Sequence, residues 1–407
     1  MPNTVLSRTP FRLATNRNAD RSESALQSLR EFLDPAFTAA ARSEIRSWPG
    51  YAATPLIDLT GVARAVRVAT IWYKDEGSRF GVGSFKALGG GYAVARIAAR
   101  HVMRTAGLAG LSSLDLLSDR YRKIAAQATV TCATDGNHGR AVAWAAHKFG
   151  CRAVVYMASI VSPLREQAIQ SFGAATIRSQ GTHEDAARES REVAQRNGWF
   201  VVSETENASE PQIAFDTLAG YTTLLDEIAS QLPDDRPPTH MFVQAGVGGL
   251  AATAACYGAA RWGAARPVLI VVEALNADCI LRSLELGEPV VVAGELDTIM
   301  AGLAAGETSG YAWRSLRVGA GFGMSIPDGA AVETMRLLAD APYGDPPVVA
   351  GESGVAGLAA TLLAAQDEST RELIGLDETS RIVTIGTEGA TDPAVYERLV
   401  GRPPGLP

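Results

Sequence analysis

From about residue 52 onward, short apolar runs alternate with longer stretches in which apolar positions recur every three or four residues. The runs predict strands at "TIWYK" 70–74, "ATVTCA" 128–133, "AVVYM" 153–157, "TIRS" 176–179, "FVVSE" 200–204, "HMFVQAG" 240–246, "PVLIVVEA" 267–274 and "RIVTIGTEG" 381–389. Between several of them the longer period predicts helices, as at 138–149, 163–172 and 183–197. Short strands alternating with such helices read as βαβ units and a parallel sheet. Residues 1–50 read as polar and irregular, with a helical patch around 24–46. The proline cluster "LPDDRPP" 232–238 marks a surface loop before a central strand, and no repeat or low-complexity linker interrupts the chain.

At 407 residues the chain is long enough for two domains. With 47% hydrophobic and 20% charged residues it has ordinary globular usage, and a net charge of −7 gives no reason to expect nucleic acid or an anionic membrane as partner. Cys132, Cys151, Cys256 and Cys279 lack metal-ligand spacing and suggest buried thiols in a reducing compartment. The histidines form no ligand motif, so no metal site is expected. No continuous apolar leader opens the sequence, and the uncharged run 243–260 contains too many glycines to read as a span; strand, loop and buried helix fit it better. A cytoplasmic location is the expectation.

Three segments carry candidate chemistry, each at a strand-to-helix turn, where open α/β sheets collect ligands. In "RFGVGSFKALGGGYAV" 79–94, Lys86 stands alone among apolar and small residues. It is either a helix-start lysine whose ammonium reaches water, or an amine kept apolar so that it can act as a nucleophile. "ATDGNHGRAVAWAA" 133–146 joins a strand to an amphipathic helix. "QAGVGGLAATAA" 244–255 is a glycine-rich turn whose amides could converge on an anion, or whose glycines only allow tight packing. The turn has neither a GK[ST] sequence nor GxGxxG spacing with a ribose-binding acid. What remains is a phosphate without a nucleotide. Together with a lysine in an apolar setting, this points to pyridoxal phosphate.

The order of Lys86, GNHG and a glycine-rich loop resembles the fold-type II pyridoxal-phosphate enzymes, the tryptophan synthase β and threonine dehydratase group. "YKDEGSRFGVGSFKALGG" 73–90, "ATDGNHGRAVAWAA" 133–146, "LDTIMAGLAAGE" 296–307, "PYGDPPVVAGESGVAGL" 342–358 and "GTEGATD" 386–392 are similar to the diaminopropionate ammonia-lyase family. The resemblance implies two open, twisted, mainly parallel-sheet α/β domains with pyridoxal 5′-phosphate in the cleft between them. The small domain is expected at 126–209, and the large, cofactor-binding one at 1–125 with 210–407. Lys86 would carry the cofactor, and Asn137 would hydrogen-bond its ring hydroxyl. The amides of Gly246, Val247, Gly248, Gly249 and Leu250 would hold the phosphate, and Thr387 would be a neutral partner for the ring nitrogen. Asp135 would be the base for one enantiomer of 2,3-diaminopropionate. Glu204 maps to a second family aspartate that serves the other. The reaction implied is α,β-elimination to pyruvate and ammonia by a homodimer.

The chain also departs from the family pattern. Glu204 is one methylene longer than the aspartate, and "TENASEPQIAFDTLAGY" 205–221 replaces a run that begins with tryptophan. Gly77 stands where the family has serine, and "AAGE" at 304–307 stands where the family has "ACGE", with Ala305 in place of the cysteine, so Cys279 lacks a family-type disulfide partner. Glu204 could instead be a strand-end acid facing water, and Asp135 a helix-start acid favoured by the dipole. His138 is expected to pack or hydrogen-bond behind the cofactor, and His183 to be a solvated helix-start residue. A serine/threonine-type dehydratase or a β-replacement synthase of the same fold are the alternative activities; a cofactor-binding sensor is the furthest.

Overall fold

The computed structural model describes residues 5–134, 136–205 and 210–405. Its strands are β1 (Arg12–Thr15), β2 (Leu56–Asp58), β3 (Thr70–Asp75), β4 (Thr129–Thr134), β5 (Arg152–Met157), β6 (Ala175–Arg178), β7 (Phe200–Val201), β8 (His240–Gln244), β9 (Val268–Ala274), β10 (Phe322–Ile326) and β11 (Arg381–Gly386). They form two sheets, ordered β1-β10-β9-β8-β11-β3-β2 and β6-β5-β4-β7. The four-stranded sheet is parallel throughout. In the seven-stranded one only the outermost pairings, β1 with β10 and β2 with β3, are antiparallel. The central strands β8 and β11 are buried along their whole length. That burial explains their continuous rather than alternating apolar pattern.

Chain contacts divide the molecule into two compact units. One comprises the residues up to Pro35, Ala53–Ser78 and Leu224 onward; the other comprises Ala36–Ala52 and Arg79–Thr223. The first holds the seven-stranded sheet, with a core that runs from Ile71 and Tyr73 through Phe242, Ile270 and Val272 to the helix Ala356–Gln366. The second holds the four-stranded sheet, which lies inside the 126–209 stretch, and also takes in the helix Lys86–Ala106. That helix lies on the helix Asn137–Phe149 through small residues. A Cβ on Gly91 would stand 3.0 Å from the Trp144 ring, and one on Gly90 3.7 Å from Val142. Trp48, Phe80, Trp144 and Phe149 close an aromatic cluster in the same unit, and Trp48 Nε1 donates to Ser113 Oγ over 2.7 Å.

Several elements differ from the sequence expectation. The 24–46 patch is two helices, Glu23–Phe32 and Pro35–Arg46, and the supposedly irregular start contributes β1. β10, "FGMSI", escapes detection because glycine and serine dilute its β-propensity. The strand expected at 200–204 ends at Val201. After Val202 N donates to Thr131 O the chain turns away, with Thr205 N donating to Ser203 Oγ. Glu204 therefore lies on a turn beyond an edge strand. The uncharged run 243–260 divides into the end of β8, a turn and the buried helix Gly249–Trp262. Among the described residues no helix is long and apolar enough to cross a membrane.

Candidate active site

Lys86 is the first residue of its helix, and Phe85, at the cap position, makes no side-chain hydrogen bond to the helix start. A cation at this end opposes the helix dipole, so it needs an anion. Glu204 supplies one: Lys86 Nζ donates to Glu204 Oε1. The ammonium lies 4.9 Å from the centre of the Phe85 ring and 5.7 Å from that of Tyr221. With a side chain only 20% exposed, Lys86 is largely withdrawn from water beside Phe85, Tyr221 and Glu204.

Glu204, 10% exposed in its side chain, is the anion of this pocket and not a solvated strand end. Burial alone would raise its carboxyl. The charge of Lys86, with hydrogen bonds from Lys86 and Tyr221, outweighs burial and holds it below the ordinary glutamate range. Tyr221 was not singled out in the sequence; its hydroxyl donates to the same Oε1. Burial first, and then the Glu204 charge, push the phenol well above its ordinary value, so it remains a donor.

The turn after β4 is shaped by Thr134, whose Oγ1 accepts from the amides of Gly136 and Gly139, each at 3.0 Å. Gly136 has φ +155, and a Cβ on Gly139 would stand 2.3 Å from Thr134 Cγ2, so both positions require glycine. Asn137 opens the helix Asn137–Phe149, beside His138. His138 Nε2 contacts Val202 O at 2.9 Å. A carbonyl only accepts, so Nε2 carries the proton and Nδ1, buried and without a partner, has its lone pair free. Burial, foremost, holds this imidazole below its ordinary range, so it is neutral and ties down the turn that carries Glu204. His183 is the first residue of the helix His183–Asn197 and is half-buried. Asp135 lies outside the described residues.

In the larger unit, β8 runs into Gly246, Val247 and Gly248, and the helix Gly249–Trp262 follows without a side-chain cap. Gly248 has φ +96. A Cβ there would meet Ala312 Cβ at 2.8 Å, and one on Gly246 would meet Gly302 O at 2.9 Å. The glycines therefore serve tight packing as well as backbone freedom. Ser309 N donates to Val247 O over 2.9 Å and fixes the turn from outside. Among the described residues, no side chain or loop carbonyl takes the amides of Gly246 to Leu250. They form a cradle of N–H donors at the positive end of a 14-residue helix.

Thr387 follows β11 and is buried. Its Oγ1 accepts from Gln244 Nε2 at 3.0 Å, and the same nitrogen faces the carbonyls of Ile385 (2.7 Å), Gly354 (3.0 Å) and Ser353 (3.1 Å). Three carbonyls force the amide to present nitrogen here. The Thr387 proton is therefore not spent on Gln244 and can be donated elsewhere. Gln244 was also not singled out in the sequence; its signal is a polar residue ending an otherwise apolar central strand.

These donor sets fit pyridoxal 5′-phosphate: an amine for its aldehyde, uncapped amides for its phosphate and a hydroxyl proton for its ring nitrogen. Among the described residues no cluster of three or more histidine, cysteine or acidic side chains could hold a metal ion. The four cysteines are free thiols, Cys279 included.

Comparison with known proteins agrees with this chemistry. The family described as pyridoxal-phosphate dependent enzyme matches residues 47–387. Diaminopropionate ammonia-lyase of Escherichia coli (strain K12) is 38% identical over 358 residues, covering 86% of this chain and 88% of that protein. The crystal structure of the Escherichia coli enzyme in complex with D-serine superposes with a TM-score of 0.87 at 33% identity, covering 96% of this chain and 97% of the other. The same enzyme in complex with an aminoacrylate-PLP azomethine reaction intermediate gives a TM-score of 0.84 at 33% identity, covering 96% of this chain and 97% of the other. The chain belongs to the pyridoxal-phosphate dependent enzymes and, within them, to the diaminopropionate ammonia-lyase family.

Proposed function

We propose that this protein eliminates ammonia from 2,3-diaminopropionate: the α-proton and the β-amine leave, and hydrolysis gives pyruvate and a second ammonia. The observation that carries the reading is the Glu204 carboxylate on the Lys86 amine. It sets an ionised base beside the group that takes the cofactor. Pyridoxal 5′-phosphate, when bound, supplies an aldehyde for the substrate amine and a ring that accepts the electron pair left at the α-carbon.

The remaining chemistry falls to the protein's own residues. Lys86 attaches the cofactor, Asn137 hydrogen-bonds its ring hydroxyl, and the amides of Gly246, Val247, Gly248, Gly249 and Leu250 hold its phosphate. Thr387 donates to the ring nitrogen and leaves it unprotonated. The ring is then a weaker electron sink, suited to a reaction in which a leaving group drains the charge at once. Glu204 Oε1 takes the α-proton of the L-isomer, and Asp135 serves the D-isomer. As the Cβ–N bond breaks, the departing amine needs a proton, and Lys86 Nζ, hydrogen-bonded to Glu204, is placed to pass one on. A cytoplasmic homodimer completes the proposal; the free thiols favour a reducing compartment, and sedimentation checks the assembly.

The test is a panel of D- and L-diaminopropionate, serine and threonine, with and without an added thiol. The expected outcome is fastest turnover on diaminopropionate with two ammonia per pyruvate. Faster release of one ammonia per keto acid from serine or threonine would make the protein a dehydratase, and a thioether product would make it a synthase.

A further inference from the structure

Glu204 is faced from three elements. Lys86 comes from the helix Lys86–Ala106, His138 from the helix Asn137–Phe149, with His183 beyond it on the helix His183–Asn197, and Tyr221 from the helix Pro211–Gln231. Their contributions differ in permanence. His138 is neutral and spends its N–H on Val202. Lys86 loses its ammonium character whenever its nitrogen is committed to the cofactor. Tyr221 undergoes no chemistry, and its hydroxyl stays protonated.

The seat of Tyr221 is built by two glycines. A Cβ on Gly89 would stand 2.4 Å from the Tyr221 ring, and one on Gly220 would stand 2.4 Å from Leu88 O. Any side chain at either position would push the two helices apart and withdraw the hydroxyl from Glu204. Phe85 closes the seat, with its ring 4.7 Å from that of Tyr221. Residues 85–89 therefore place the lysine and receive the tyrosine at once.

We propose that Tyr221 is a positioning residue for Glu204: its hydroxyl keeps Oε1 aimed at the reacting centre, and charged, through the steps in which Lys86 is not an ammonium. This rests on Glu204 being the base for the L-isomer. A hydrogen bond to a charged acceptor favours the charged form, so its removal raises the pH at which the carboxyl gains a proton.

The experiment uses full-length holoenzyme with Tyr221→Phe, which keeps the ring and removes only the hydroxyl. We expect the acid limb of kcat/KM for L-diaminopropionate to move up by about one pH unit, and the L-to-D ratio near neutral pH to fall about tenfold. Difference infrared titration against Glu204→Gln should show the Glu204 carboxyl titrating higher by the same amount. That signature does not depend on turnover, and a merely structural tyrosine would not produce it. Gly89→Ala, which displaces the ring, should reproduce the shift. An unmoved limb and carboxyl band in Tyr221→Phe, or equal losses on both isomers, would overturn the role of Tyr221. If Glu204→Gln keeps full L-turnover, the base assignment itself falls, whatever Tyr221 does.

Discussion

Two regions carry the proposed chemistry, and they are built on opposite plans. In the smaller unit the side chains of Lys86 and Tyr221 meet on one carboxylate oxygen of Glu204. In the larger unit the 246–250 turn offers only backbone amides. The identity of its glycines is enforced from behind by Gly302 and Ala312. Charge that must change during a reaction is given to side chains with mutually adjusted protonation. Charge that stays constant, such as a phosphate, is given to backbone dipoles that cannot titrate. On the same proposal Thr387 belongs to the second plan, a neutral hydroxyl whose Oγ1 accepts from Gln244.

The contrast is broken most severely at Lys86. Lys86→Ala should lower turnover by about three orders of magnitude or more while the fold persists, because it deletes a covalent role. Borohydride treatment of the yellow wild type should fix the cofactor to the peptide containing Lys86. Fixation to another lysine would end the assignment. In the backbone region, Gly248→Asp puts a side chain where φ is +96 and Ala312 stands 2.8 Å away, and adds a negative charge beside the phosphate amides. Cofactor should be lost on gel filtration; retention at wild-type stoichiometry would contradict the cradle. Thr387→Val should be milder, lowering turnover by about tenfold and shifting the visible band of the bound cofactor, since one hydrogen bond is lost. An unshifted band would remove Thr387 from the ring nitrogen.

The smallest effect concerns stability. The Glu204 carboxyl is held below its ordinary value, so its contribution to stability is full above the unfolded value, about 4.3. It is lost as pH falls through the lower folded value. Tm of wild type minus that of Glu204→Gln should therefore shrink as pH drops below about 4.3. A difference that stays constant across that window would show that the pairing does not persist in solution.

The two regions were unequally legible in the sequence. The glycine turn, Lys86 and the GNHG segment could be found because each is local: a strand, a few small residues and a helix start within a dozen positions. The parallel sheets followed from continuous apolar runs such as β8 and β11, whereas β1 and β2, of four and three residues, are too short for periodicity to register. Tyr221 and Gln244 could not be found in this way. Each owes its role to a partner more than ten residues away, reached by helix packing or sheet register. Glu204 was located but its setting was not, because β7 is only two residues long.

The central claim is that the Lys86–Glu204 pair provides the base for one face of the substrate. It is tested most directly by kcat/KM of Glu204→Gln on each isomer of 2,3-diaminopropionate, measured on fully loaded enzyme. A fall of about 10²- to 10⁴-fold on the L-isomer, with the D-isomer within about threefold of wild type, is the predicted result. Equal losses on both isomers, or none on either, would contradict it.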